Sequence, residues 1–241
     1  DSLLKPHRIE GVGIVLPGLI SEDSQKIFYG EILKITGATC EEFSKYIPYS
    51  CMLFNDADAG GYAEAYLNED ESDSFYISLS NNIGGSIIIN GEVYKGEGPR
   101  SGEVGHITII SDGRTCYCGR KGCFETYCNA TILSDYTEGN IEGFFRELQS
   151  GNQTCMEMWK EYLKYLAIAV NNVRMLFDCK VILGGYVGAY MDQYIDRFRE
   201  MAAERNSFED NAEYLHVCKV KKDALALGGA LPFIQEFIQN I

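Results

Sequence analysis

Apolar residues along this chain fall into two rhythms. Short continuous runs stop at glycine, proline or asparagine, and longer stretches repeat every three or four residues. The first run, Gly-Val-Gly-Ile-Val-Leu from Gly11, reads as a buried strand closed by Pro17-Gly18. Residues 21–30 are polar and read as loop. Thr39 and Glu42 stand three apart, as N-cap and N3 of a capping box, and predict a short helix through Tyr46 that stops before Pro48. Residues 51–54 form a second strand, followed by an Ala-rich helix to about Asn68. Residues 74–80 predict a strand, then a glycine-rich bend over 81–85 and a hairpin around the Asn90-Gly91 turn. Helices are expected at 129–135 and 141–149. A long one follows over 154–177, where Met158, Tyr162, Tyr165, Leu166, Ala169, Val173 and Leu176 make an apolar face. Residues 180–185 read as a buried strand ending in Gly184-Gly185, 189–205 as a helix and 214–220 as a strand. A final helix from Asp223 to Ile238 should be kinked or broken near Pro232. Strands alternating with helices predict an α/β fold.

One stretch carries chemistry that the pattern does not explain. Between Gly102 and Glu125, Cys116, Cys118 and Cys123 fall within eight residues, and His106 lies ten residues upstream. Three thiols and an imidazole make the Cys3His set of a closed structural zinc site. Gly119 and Gly122 let the backbone curl around a metal. Unpaired thiols would sit badly in so polar a loop. Glu103 and Glu125 bracket the knot as hard oxygen groups with another task. The second informative place is Asn55-Asp56 at the C-terminal end of a strand, where α/β proteins place ligands. Asp56 either binds a proton or hydroxyl there or only caps the helix, and Asp58 fits the first helical turn through the helix dipole. The bend at Ser80–Gly85 could present backbone N–H groups to an anion or serve only as a turn.

Composition narrows the function. The 241 residues suffice for one large domain or two lobes, and no run of apolar residues is long enough to span a membrane. Nine cysteines, an odd number scattered apart from the cluster, point to reduced thiols and a cytoplasmic protein. A net charge of −14 without any basic stripe disfavours contact with nucleic acid by this chain itself.

The motifs together resemble the ROK family, whose name joins repressors, open reading frames and sugar kinases. Val-Gly-Ile-Val-Leu-Pro-Gly, Phe-Asn-Asp-Ala-Asp-Ala, Ile-Gly-Gly-Ser-Ile-Ile-Ile-Asn-Gly, Gly-Glu-Val-Gly-His, Cys-Tyr-Cys-Gly-Arg-Lys-Gly-Cys-Phe-Glu and Val-Ile-Leu-Gly-Gly follow in family order. The resemblance implies a two-lobed actin-like ATPase (ribonuclease H-like) fold with a sugar between the lobes. Residues 1–55 and the C-terminal helix 226–241 would form the first, small lobe. Residues 56–225 would form the large one, with the zinc knot at 106–123. It further implies zinc on His106, Cys116, Cys118 and Cys123, and sugar contacts from Asn55, Asp56, Glu103, His106 and Glu125. In a kinase, Asp56 would be the general base. Two expected phosphate elements depart from the family. The Asp-x-Gly-x-Thr turn has no counterpart upstream of Gly11, and Asp112-Gly113-Arg114-Thr115 lies inside the knot. The second turn becomes Ser80-Asn81-Asn82-Ile83-Gly84-Gly85, with Asn82, Gly84 and Gly85 as its remnant and Gly184-Gly185 on the nucleotide side.

These departures favour the effector-binding region of a ROK-type transcriptional regulator. Its first lobe would be incomplete at the N-terminus, and its DNA-binding helix-turn-helix would lie outside this chain. The alternatives are a fragment of a glucokinase- or fructokinase-like enzyme using ATP and magnesium, or a zinc-stabilised interaction module. Expected partners are a sugar or sugar derivative and further copies of the chain, with DNA only through another domain and no membrane.

Overall fold

A computed structural model describes residues 9–68 and 72–239, so the polar lead at 1–8 lies outside the described residues. The first strand, β1 (Val12–Leu16), is followed by a short antiparallel pair, β2 (Leu19–Ile20) and β3 (Ile27–Tyr29). β3 falls where the polar pattern predicts loop. Ile27 explains the difference, because it is fully buried in a small core with Ile20, Cys40 and Leu53 and anchors an otherwise polar segment. Helix α1 (Cys40–Ser44) starts as the capping box predicts, with the Thr39 N–H donating to the Glu42 carboxylate at 2.7 Å. Strand β4 (Cys51–Asn55) returns parallel to β1, Val12 facing Cys51 and Leu16 facing Asn55. A parallel return needs a long crossover, and residues 17–50 supply it.

Helix α2 (Asp56–Tyr66) follows β4 with no loop between them. Strands β5 (Ser74–Leu79), β6 (Ile83–Ile89) and β7 (Glu92–Val93) then run antiparallel to one another. The turn between β6 and β7 has positive φ at both Asn90 and Gly91, as expected of an Asn-Gly hairpin. Beyond the Cys/His loop come α3 (Glu125–Cys128), α4 (Thr131–Ser134), α5 (Ile141–Gln149) and α6 (Gln153–Phe177). The helix predicted at 129–135 is thus displaced and split. Asn129, the C-cap of α3, takes extended backbone, and its Oδ1 accepts from the Ile132 N–H at 3.2 Å.

Strand β8 (Lys180–Gly184) leads to α7 (Gly185–Gly188), then α8 (Ile195–Ala203), β9 (Leu215–Val217) and α9 (Ala224–Gln239). The predicted continuous helix over 189–205 is interrupted because the chain dips to seat Met191, which is fully buried, and to stack Tyr190 on Phe145. Helix α9 continues through Pro232, so the break allowed for there does not occur. Its packing on α2 and β1 holds it where the proline removes one hydrogen bond. At that contact a Cβ on Gly228 would stand 1.8 Å from the Ala59 carbonyl oxygen.

The larger sheet has the order β7-β6-β5-β8-β9, with β5, β8 and β9 parallel. Side chains alternate across it. Phe75, Ile77 and Leu79 join the main core beneath α6, while Tyr76 and Ile88 face the other way, with Ile182 and Cys218. No described helix is long and apolar enough to cross a membrane.

Candidate functional site

The junction of β4 and α2 settles what Asp56 is not. Asn55 is the N-cap: its Oδ1 accepts from the Asp58 N–H at 3.0 Å, and its Nδ2 donates to the Gly18 carbonyl at 2.9 Å. The capping role open to Asp56 on sequence grounds is therefore taken, and the Asp56 carboxylate accepts from the adjacent Ala57 N–H at 2.9 Å. Burial pushes its pKa above the usual carboxylate range. Burial raises Asp58 to about 6, with the Ser86 hydroxyl and Lys95 ammonium partly offsetting this.

Across from this junction, the loop after β7 folds into a knot. The Cys116 N–H donates to the Arg120 carbonyl at 2.8 Å and the Gly122 N–H to the Arg114 carbonyl at 2.8 Å. Gly122 has φ of +78°, and a Cβ there would collide with the Ile110 carbonyl oxygen. The fold brings His106, Cys116, Cys118 and Cys123 together, with their ligand atoms all within 4.8 Å of one another. The Cys118 and Cys123 sulfurs are 3.7 Å apart, and His106 Nδ1 is 3.8 Å from Cys116 Sγ. A tetrahedron of sulfurs about 2.3 Å from zinc has edges of about 3.8 Å, so donor set and spacing both fit that metal. Burial holds the His106 imidazole below its usual pKa, which favours the neutral form a metal takes.

The remaining residues tie the knot to the junction. Glu103 lies 4.0 Å from His106 Nε2. Its pKa is raised by burial and then by the charges of Asp56 and Asp58. It is held there because the backbones of Gly85 and Gly102 touch: a Cβ on Gly102 would lie 2.2 Å from the Gly85 carbonyl oxygen. Glu125 is almost fully buried, and its carboxylate accepts from the Ile83 N–H at 2.6 Å and from Asn82 and Asn129 at 3.4 Å. It therefore fastens the knot to the start of β6.

The glycines assigned to phosphate have other neighbours. The predicted bend is confined to Ser80–Asn82, and Gly84 and Gly85 lie inside β6. Gly84 presses on the Ala57 Cβ. Gly184 closes on the Tyr76 ring, whose hydroxyl accepts from the Gly185 N–H at 3.2 Å. A side chain would not fit at any of the four.

A cavity of about 330 Å³ opens beside this cluster, between β2, β4, α2, the β6–β7 hairpin and α9. Asn55, Asp58, Glu92, Lys95 and Glu103 supply its charged and amide groups; Leu19, Leu53, Val93 and Pro232 supply apolar wall. Asp56, His106 and Glu125 are not on that wall. Sequence reasoning missed Asp58 and Lys95 as lining residues. The available signal was Asp58's place three residues after Asn55, on the same side of the first helical turn.

Comparison with known proteins identifies the family. The ROK family model matches residues 2–236. The xylose repressor of Bacillus subtilis is 33% identical over 134 residues, covering 53% of this chain and 34% of the repressor. The N-acetylmannosamine kinase of Citrobacter koseri is 28% identical over 187 residues, covering 75% of this chain and 63% of the kinase. The chain thus spans between about a third and just under two thirds of these relatives. A ROK family glucokinase from Streptomyces griseus, solved in complex with glucose and AMPPNP, shares the fold with a TM-score of 0.76 at 20% identity, over 95% of this chain and 83% of that one. The architecture is the actin-like ATPase fold of the ROK sugar kinases. With repressors and kinases both among its relatives, this chain belongs to the ROK family.

Proposed function

We propose that this chain is the sugar-binding region of a ROK-type transcriptional regulator, with Asn55, Asp56, Glu103, His106 and Glu125 around the sugar. The observation that carries the reading is His106, which joins the Cys3His cluster through Nδ1 and turns Nε2 toward Glu103. Polyols need several converging donors and acceptors, and this arrangement fixes them on a rigid support. Zinc would be held by His106, Cys116, Cys118 and Cys123 and would act structurally, keeping the imidazole and the Glu125 segment in place. A sugar that binds one arrangement of the surrounding elements better than another would shift their equilibrium, as a regulator requires. DNA contact would fall to another domain, since the charge of −14 opposes it here. All nine cysteines are unpaired, which supports a reducing, cytoplasmic setting. The two lobes at 1–55 with 226–241 and at 56–225, and assembly into oligomers, belong to the same proposal.

The Gly185 N–H is bonded to the Tyr76 hydroxyl and Gly84 and Gly85 lie within β6, which supports a regulator over an enzyme, because phosphate cradles need open backbone N–H groups. One observation favours the second reading, an ATP-dependent sugar kinase. Asp56 is free of capping duty and has raised proton affinity, as a general base requires. Calorimetry against unmodified pentoses and hexoses tests the first reading. A sugar should bind and Asp56→Ala should abolish binding, whereas unchanged affinity in that variant refutes the site. Sugar-dependent ADP release that disappears in Asp56→Asn would establish the kinase instead.

A further inference from the structure

The residues assigned to the sugar leave the space beside them open. Of those five, Asn55 and Glu103 lie on the wall of the cavity of about 330 Å³, and Asp56, His106 and Glu125 do not. A monosaccharide held by all five would therefore stand at the mouth of the cavity with its interior unfilled. Glu103 marks the boundary, its carboxylate 4.0 Å from His106 Nε2 and also on the cavity wall. The wall continues to Tyr62 on α2 and Pro232 on α9, and among the described residues it takes none from the knot. Ligand pockets run from about 300 to 1,000 Å³, so the interior has room for a group as large as another sugar ring.

The lining defines that group. Asp58, Glu92 and Glu103 face it with carboxylates, against the single ammonium of Lys95 among the described residues. Leu19, Leu53, Val93 and Pro232 face it with aliphatic surface. The Tyr62 hydroxyl already donates to the Gln235 side chain and the Ser101 hydroxyl to the Tyr94 carbonyl, so the polar demand falls on the charged groups. An anionic occupant meets net negative charge. A wholly apolar one strips water from the carboxylates and returns no hydrogen bond. A sugar ring meets both parts of the wall, because its O–H groups donate to carboxylates while its C–H face covers aliphatic surface. We propose that the cavity is a second-sugar subsite, and that the ligand of this chain is a di- or oligosaccharide with one unit on the five-residue set and the next in the cavity. The proposal rests on the sugar-binding reading above and names the class of its ligand.

Calorimetry on the whole chain tests it. The pentose or hexose that binds best is compared with disaccharides in which glucose is joined to each of its hydroxyls in turn, and with phenyl derivatives at the same positions. One linkage should bind about tenfold tighter than the monosaccharide, and a phenyl group at that position should gain less. Disaccharides that never exceed the monosaccharide overturn the proposal, and so does a phenyl gain equal to the glucosyl one. Val93→Phe, which places a ring in the cavity, should return the favoured disaccharide to the affinity of the monosaccharide and leave the monosaccharide within about twofold. Equal losses for both ligands, or no loss for either, overturn the subsite. If that variant does not fold, the Val93 methyl signals of wild type decide. They should shift on saturation with the disaccharide and stay fixed with the monosaccharide, and equal shifts or none overturn the contact. The two readings fail separately. If the monosaccharide binds, Asp56→Ala abolishes that binding and no disaccharide gains, the sugar site stands and the subsite falls. If no sugar of either kind binds, both fall together.

Discussion

At the scale of single residues, Asp58 makes the clearest prediction. Its folded pKa of about 6 exceeds the ordinary 3.8, so the folded protein takes up a proton that the unfolded chain does not hold between those values. The carboxylate therefore destabilises the fold fully above pH 6, and this cost is lost as pH falls through 6 toward 4. Asp58→Asn should stabilise by about 1–3 kcal/mol at pH 7, with the gain over wild type gone near pH 4. Urea denaturation of both proteins across that range checks it. Cys118 makes the second. Cys118→Ser removes one soft donor from the proposed zinc site, whose affinity would be on the order of 10 kcal/mol. The variant should lose zinc and, with His106 and the Glu125 segment loosened, weaken sugar binding at least tenfold. A variant without zinc that keeps full affinity would separate the knot from the pocket. The knot's ligands were legible in sequence because metal chemistry constrains residue type and spacing together. Asp58 was not, because an acidic residue in a first helical turn has an adequate local explanation.

At the scale of elements, the junctions that build the site follow local rules, while the departures follow contacts. The α1 capping box and the Asn90-Gly91 turn appear as predicted because the residues that specify them lie within four positions of each other. The helix over 189–205 and the extent of the bend over 81–85 depart from expectation for a different reason. Met191 and Tyr190 answer to a core assembled from distant segments, and Gly84 and Gly85 answer to Ala57 and Gly102. The contact between α2 and α9 is of this second kind. Gly228→Ala would gain about 1 kcal/mol in helix propensity. Its Cβ would meet the Ala59 carbonyl oxygen at 1.8 Å, backbone against backbone, so α9 must move away from α2. A net loss of about 2 kcal/mol is expected, within the range for overpacking, and thermal denaturation measures it. Because Gly228 and Pro232 also line the cavity, the same variant should weaken sugar binding.

For the whole molecule, the acidic surface and the acidic site select against anionic ligands together. Asp56, Asp58, Glu92 and Glu103 surround the site, and among the described residues Lys95 is the one cation on the cavity wall. Two unit charges 6 Å apart repel by about 3 kcal/mol at an effective dielectric near 20. A sugar phosphate should therefore bind at least tenfold more weakly than its parent sugar, and the gap should narrow in Asp58→Asn. Calorimetry with the two ligands at fixed ionic strength checks this. The sequence by itself determined the α/β class, the candidate metal ligands and the family, since each depends on residue identity in a local pattern or on motif order. Only the tertiary structure decided that Asn55 caps α2 and frees Asp56, that Glu125 is fastened to the Ile83 N–H, and that Asp58 and Lys95 line a cavity with α9. Those facts depend on which segments approach within a few ångströms of each other. That approach is set by how the small residues of β6, α2 and α9 allow their backbones to close together, and a linear pattern does not record it.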